Sequence, residues 1–343
     1  MPKSILIVRL SAIGDTIQST PVARQIKLKY PDCHLAWVVE PKALPGIAHN
    51  PHLDEIVILQ VRRPGSWADL AGKVRHKYDI TIDLQCLLKS GLATALSASP
   101  LRIGREDARE GSRLFYNRLM PTRQDHLYIS QCYLEQCADL GLDINDYVPE
   151  LYVAPEEQQA AALLWRELEL GEGRPALALL PFSAEPTREW PLERFGQVGD
   201  ALAAQTGAHC LIFGSPAEVD RAEALAAQMS SSPAILAGKT SLGLAAALLQ
   251  RCQLAVGNDS GLIHYAFALG TPLVCVMGPS TMRSGPRSAT AITLVAPCEF
   301  RPCRPYQKCC RGPGRPCLAE ITVAQVVEAG LRLLEKPRPR GTT

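Results

Sequence analysis

The sequence predicts two doubly wound α/β domains in succession along the chain. Three observations predict it. Short apolar runs alternate with amphipathic stretches from end to end, the pattern of parallel strands covered by helices on both faces. That pattern runs twice, interrupted at 142–160 by a stretch with two prolines, five acids and no apolar period. The length of 343 residues suits two domains of about 150 residues each.

In the first half, Ile5–Val8 reads as a buried strand and Pro21–Lys29 as the helix after it. Leu35–Val39, Ile56–Leu59 and Ile80–Leu84 are the next strands, and 126–141 is a helix stopped by Gly141. In the second half, Ala176–Leu180 is a strand and Leu192–Thr206 a helix, with Phe195, Val198 and Leu202 on one face. Strands Leu211–Phe213, Leu254–Gly257 and Leu273–Gly278 alternate with helices Val219–Met229, Leu242–Arg251 and Leu262–Leu269, and Ile321–Leu334 is the last helix. The expected organisation is a domain at 1–150, a linker at 151–159 and a domain at 160–343. The helix at 321–334 is expected to be able to pack back on the first domain.

A composition 47% hydrophobic and 20% charged is that of a globular chain. Lys+Arg 36 against Asp+Glu 34 leaves +2, which excludes nucleic-acid binding through overall charge. Four consecutive apolar residues before Arg9 are too few for a signal-peptide core. The longest uncharged run, Ser260 to Met282, is broken by Gly270-Thr271-Pro272, so no membrane span is expected. A soluble cytosolic chain, at most membrane-associated, is the expectation.

Seven of the twelve cysteines are scattered beside apolar residues, as small buried hydrophobes would be. The other five, Cys298, Cys303, Cys309, Cys310 and Cys317, crowd into one segment without a CxxC pair. Five basic residues and no acid lie between Phe300 and Pro316. A non-catalytic metal or redox module is one reading of this segment, and a basic loop suited to an anionic membrane surface is the other.

Four polar turns follow predicted strands, where α/β domains bind ligands. In Arg9-Leu10-Ser11-Ala12-Ile13-Gly14-Asp15, Gly14 permits a tight path, and Asp15 either caps a helix or serves as a general base. The run is not GxGxxG, so a dinucleotide fingerprint is absent. In Gly257-Asn258-Asp259-Ser260-Gly261, a helix N-terminus near Ser260 offers backbone N–H groups to a diphosphate. His264, four residues on from Ser260, reaches the same ligand or packs into the core, and Asp259 orients the turn or meets a sugar hydroxyl. In 181–191, Ser183 and Thr187 supply hydroxyls and Arg188 a fixed positive charge; the plain alternative is a surface loop. Glu218, after Phe213-Gly214-Ser215-Pro216, holds a ribose diol or caps a helix.

Together, RLSAIGDTI, TPVAR, LAWVVEP, IDLQCLLKSGL, LFYNR, REWPLERF, FGSPAE and GNDSGLIHYAFALGTPLVCVMGPS resemble the heptosyltransferases of lipopolysaccharide core assembly, glycosyltransferase family 9. The resemblance covers roughly residues 4–335, and its most specific parts are the GD turn and the D-[ST]-G-x-x-H block. Around Gln85 and Leu114–Arg118 it is most similar to the type I branch, which adds the first heptose to the Kdo of Kdo2-lipid A. The resemblance implies a GT-B fold, an ADP-heptose donor, inversion at the anomeric carbon, and neither metal nor cofactor. It implies Asp15 as the base. Ser183, Arg188, Glu218, Thr240, Asp259, Ser260, Gly261 and His264, with Thr187 added from the loop reading, form the donor site. Arg62, Arg63, Lys89 and Arg109 lie toward the phosphates and carboxylates of a lipid A-type acceptor. A monomer, peripheral on the cytoplasmic face of the inner membrane, is expected.

This sequence departs from the family pattern at three site positions. Cys86 stands where a glycine is expected after Gln85, Arg188 where the type I branch usually has Lys, and Ala184 where a hydroxyl residue is expected. The alternatives are a type II or III enzyme acting on a later core heptose, or another nucleotide-sugar enzyme of the same fold. The first half is also locally basic, with Arg102, Arg105, Arg109, Arg113 and Arg118; if 105–113 is helical, Arg105, Arg109 and Arg113 share one face.

Overall fold

The computed structural model describes residues 1–122, 126–170, 174–278, 280, 283–295, 298 and 316–335. The chain divides into two compact units, Met1–Tyr152 and Val153–Thr343. The first contains a parallel sheet of β1 (Ser4–Val8), β2 (His34–Val39), β3 (Glu55–Ile58), β4 (Ile80–Asp83), β5 (Leu101–Arg105) and β6 (Arg118–Met120). Its strand order is β3-β2-β1-β4-β5-β6. The second contains β7 (Ala176–Leu180), β8 (His209–Ile212), β9 (Ala234–Ile235), β10 (Leu254–Asn258), β11 (Leu273–Met277) and β12 (Ala291–Val295). Its order, β12-β11-β10-β7-β8-β9, is the same doubly wound order read from the other edge.

The central strands are apolar because helices cover both faces. β7, β10 and β11 are buried along their whole lengths, and β1 beyond Ser4. In each unit the strand order reverses beside the first strand, between β1 and β4 and between β7 and β10. The connections leave in opposite directions there, which opens a crevice at the strand C-termini. The crevices are therefore bordered by the turns after Val8, Asp83, Leu180 and Asn258.

Three sequence expectations need correction. Residues 151–159 are not all linker: a helix, Pro155–Glu167, starts inside them, with proline in its first turn and Glu156 and Glu157 matching the helix dipole. The 105–113 stretch is not helical. Arg105 ends β5, Arg109 lies in a turn and Arg113 is in a short 3-10 segment, Ser112–Phe115, so the three share no helix face. The helix expected at 126–141 is two pieces, Ile129–Glu135 and a 3-10 turn at Ala138–Leu140, ended by Gly141 at φ 63°. The last helix, Val323–Leu334, buries Val326, Ala329 and Leu333 in the core of the second unit. Among the described residues no helix is long and apolar enough to cross a membrane. The seven scattered cysteines are all buried, whereas Cys303, Cys309, Cys310 and the tail 336–340 lie outside the described residues.

Gly257 shows how tightly the second crevice is built. A Cβ at this position would stand 2.7 Å from Leu180 Cβ and 3.0 Å from Leu180 O on the neighbouring strand. Gly257→Ala is therefore expected to force β7 and β10 apart at about 1–3 kcal/mol. Thermal unfolding would read this as a fall of several degrees in Tm; an unchanged Tm would show that the strands can spread freely.

Candidate functional site

In the first unit the site grows from Arg9, the residue after β1. Arg9 is 4% exposed. Its Nη1 donates to Leu84 O at 2.9 Å, its guanidinium lies 5.3 Å from the Tyr133 ring centre, and its Nη2 lies 2.7 Å from Asp15 Oδ2. Burial alone would lower the Arg9 pKa, but Tyr133, Asp15 and Asp83 raise it above its ordinary value. Asp15 lies in the first turn of helix Ile13–Gln18, yet its side chain is 45% exposed. A carboxylate held on one oxygen by a buried cation, and open to solvent, suits proton acceptance.

The turn carrying Asp15 is fixed from the β4 side. Gln85 Oε1 accepts from Leu10 N at 2.9 Å and Ser11 N at 3.3 Å. Gln85 and Cys86 in turn donate their backbone N–H groups to Asp83 Oδ1, both at 2.8 Å, and Tyr116 donates to Asp83 Oδ2 at 2.7 Å. Burial pushes the Asp83 carboxyl above its usual range despite these donors. Lys89 donates to Ser11 Oγ at 3.0 Å and to Glu40 Oε1 at 2.6 Å. Lys89 therefore stands beside the Asp15 turn; Arg62, Arg63 and Arg109 are exposed, and Arg109 donates its backbone N–H to Cys86 O at 3.1 Å, next to Gln85. Arg102, Arg105 and Arg118 do fold-building work instead. Arg102 bonds Ser99 O and Phe115 O, Arg105 pairs with Asp107 and Gln136, and Arg118 is bidentate to Asp139.

In the second unit the site lies around the ends of β7 and β10. Asp259, 1% exposed, has Arg188 Nη1 at 3.4 Å from Oδ2 and His264 Nε2 at 3.3 Å from Oδ1. Burial opposes its charge, but His264, Ser280 and Arg188 together hold its carboxyl below the usual range. So enclosed a carboxylate organises Arg188 and His264. The helix Gly261–Ala268 starts after Ser260, whose side chain makes no capping bond, and a Cβ at Gly261 would meet open space. The first-turn N–H groups can thus receive an anion.

Thr187 Oγ1 is buried and makes no hydrogen bond among the described residues. Ser183 Oγ accepts from Glu185 N at 3.3 Å. Glu218 Oε2 accepts from Ser215 N at 2.6 Å, which is the capping role the sequence left open. Thr240 is half-buried after β9, in the turn whose Gly238 N donates to Gly214 O at 3.1 Å. The structure thus brings Arg188, Asp259, Ser260, Gly261 and His264 together, and ties Glu218 and Thr240 to the neighbouring β8 and β9 turns.

Sequence reasoning gave no role to Arg9, Asn258 or Glu189 within the turns it singled out, and did not name Glu40 or Arg221. A charged residue directly after an apolar strand was the available signal for Arg9, as was the polar Asn258 closing β10.

A model of glycosyltransferase family 9 (heptosyltransferase) matches residues 67–312. The chain is 28% identical over 310 residues to lipooligosaccharide heptosyltransferase 2 of Haemophilus influenzae, covering 85% of this chain and 88% of that one. It is also 28% identical over 295 residues to lipopolysaccharide heptosyltransferase 1 of Pseudomonas aeruginosa, covering 80% and 79%. Among solved structures it is similar to a family 9 glycosyltransferase from Veillonella parvula, with a TM-score of 0.86, 25% identity and 97% of both chains covered.

The lowered Asp259 pKa has a pH consequence. Its stabilising contribution is complete above the unfolded value of about 3.9 and is lost as pH falls from there through the lower folded value. Melting curves of wild type and Asp259→Asn are expected to differ by a constant amount from pH 7 to about pH 5 and to converge below about pH 4. A gap that widens on acidification would reverse the assignment.

Proposed function

The chain belongs to glycosyltransferase family 9, and from that premise we propose that it transfers heptose from ADP-heptose to the inner core of a lipid A-type acceptor. The observation that carries this reading is the half-exposed Asp15 carboxylate, held 2.7 Å from a buried arginine at the end of β1. The acceptor hydroxyl gives its proton to Asp15 while its oxygen forms a bond to the anomeric carbon. On the opposite face the bond from that carbon to the diphosphate breaks, and ADP leaves with the electron pair. Arg188 and the N-terminus at Ser260–Gly261 meet the charge that accumulates on the leaving group. Ser183 and Thr187 add hydroxyl donors, Glu218 and Thr240 border the nucleoside, and Asp259 and His264 shape the sugar end.

The acceptor we propose is the Kdo of Kdo2-lipid A, supported by the type I resemblance around Gln85 and Leu114–Arg118. The equal 28% identity to a type 2 and a type 1 enzyme makes a core heptose the second reading. Both acceptors are anionic lipids, which accounts for exposed arginines at 62, 63 and 109 and for a working place at the cytoplasmic face of the inner membrane. Assay on the two purified acceptors separates the readings.

Asp15→Asn is expected to lower kcat for ADP release by about a hundredfold or more, with donor KM little changed. A rate within a few-fold of wild type would remove Asp15 as the base. Arg62→Ala and Arg109→Ala are expected to raise the acceptor KM and flatten its salt dependence while leaving donor KM nearly intact. If donor KM rises instead, these arginines serve the nucleotide.

A further inference from the structure

The loop bearing Ser183, Thr187 and Arg188 is framed by side chains that contribute nothing to the chemistry described above. Asn258, fully buried at the end of β10, donates from Nδ2 to Pro181 O at 2.6 Å and accepts at Oδ1 from Trp190 N at 2.9 Å. It therefore grips both stems of the loop at once. Glu189 closes the loop a second time, because its Oε1 accepts from Ser183 N at 3.0 Å. Arg221, from helix Val219–Ala226, holds that carboxylate through Nη1 at 3.2 Å and Nη2 at 2.7 Å. The same guanidinium lies 4.9 Å from the ring centre of Phe182, whose edge would be 2.9 Å from a Cβ at Gly214. Trp190 is tied down in turn, donating from Nε1 to Ile321 O at 3.0 Å.

We propose that Asn258 and Glu189 are positioning residues of the donor site, fixing the 182–189 loop so that Arg188 is delivered against Asp259 beside the helix N-terminus at Ser260. Two observations make this more than ordinary loop packing. Asn258 directly precedes Asp259, so one strand end sets both the loop stems and the carboxylate that receives Arg188. Glu189 directly follows Arg188, so the bond to Ser183 N fixes the distance between the loop's hydroxyl and its cation. An anion bound here would meet donors already in place, and the cost of ordering them would fall in folding rather than in binding. The inference rests on the donor reading given above.

Asn258→Asp keeps an acceptor for Trp190 N but sets an oxygen against Pro181 O. Glu189→Gln keeps an acceptor for Ser183 N but removes the charge that holds Arg221. The measurements are donor KM, acceptor KM, and the rise in Tm on adding ADP, each referred to the variant's own ligand-free Tm. Asn258→Asp is expected to raise donor KM about tenfold to a hundredfold and to shrink the ADP-induced rise, with acceptor KM within about twofold of wild type. Glu189→Gln is expected to move the same two quantities by less, and it carries the test if Asn258→Asp does not fold. Donor and acceptor KM moving together, or neither moving, would reduce both residues to packing and overturn the proposal. Wild-type protein that ADP does not stabilise, but UDP or GDP does, would sink the ADP reading alone; stabilisation by none of the three would sink the donor site and the positioning role with it.

Discussion

Where the strand order reverses, two parallel strands end side by side and their connections depart to opposite faces, so backbone groups at the strand ends lack their usual neighbours. The turns of both crevices are built on how those groups are satisfied. In each unit the answer is a side-chain amide from one strand end bonded to the backbone of the other. Gln85, after β4, accepts from Leu10 N and Ser11 N after β1. Asn258, ending β10, bonds Pro181 O and Trp190 N after β7. Each amide leaves its crevice open while holding its rims at fixed separation. A longer apolar side chain would fill the gap, and a loop left unbonded would wander over it.

The carboxylates of the two crevices differ in exposure and in partners. Asp15 shares one oxygen with Arg9 and remains 45% exposed, so the other oxygen is available to a substrate. Asp259 is 1% exposed, with Arg188 Nη1 3.4 Å from Oδ2 and His264 Nε2 3.3 Å from Oδ1. A buried carboxylate is tolerable only when its charge is matched, and Arg188 supplies the fixed positive charge. The carboxylate of the first crevice is thus kept wet, and that of the second is kept dry.

The alternating apolar runs were legible because burial on both faces leaves β1, β2, β7, β10 and β11 almost free of polar residues. β5 and β6 were not, since Arg102, Arg105 and Arg118 made those segments read as a basic patch. Their charges are consumed by Ser99 O, Phe115 O, Asp107, Gln136 and Asp139, partners that no local window contains. The same blindness applies to the site. Asp15, Ser260 and His264 could be read from turns and helix starts, which are local. The bonds that set their geometry span 75 residues for Arg9 to Leu84 and 68 for Asn258 to Trp190, and only the folded chain reveals them.

Cys86 shows how this chain accommodates a residue other than the glycine expected after Gln85. The residue after Gln85 has φ +58°, the left-handed region that favours glycine, which is the physical reason for a glycine there. Cysteine in that conformation carries a backbone strain of about 1 kcal/mol or more. It also brings a side chain glycine lacks, fully enclosed, with Sγ donating to Asp83 O at 3.0 Å. Its backbone N–H still reaches Asp83 Oδ1, and its carbonyl accepts from Arg109 N at 3.1 Å. The backbone bonds that place Gln85 are thus made with cysteine at position 86. Gln85 still accepts from the Leu10 and Ser11 amides, so with cysteine at position 86 the turn leading to Asp15 is held from the β4 side.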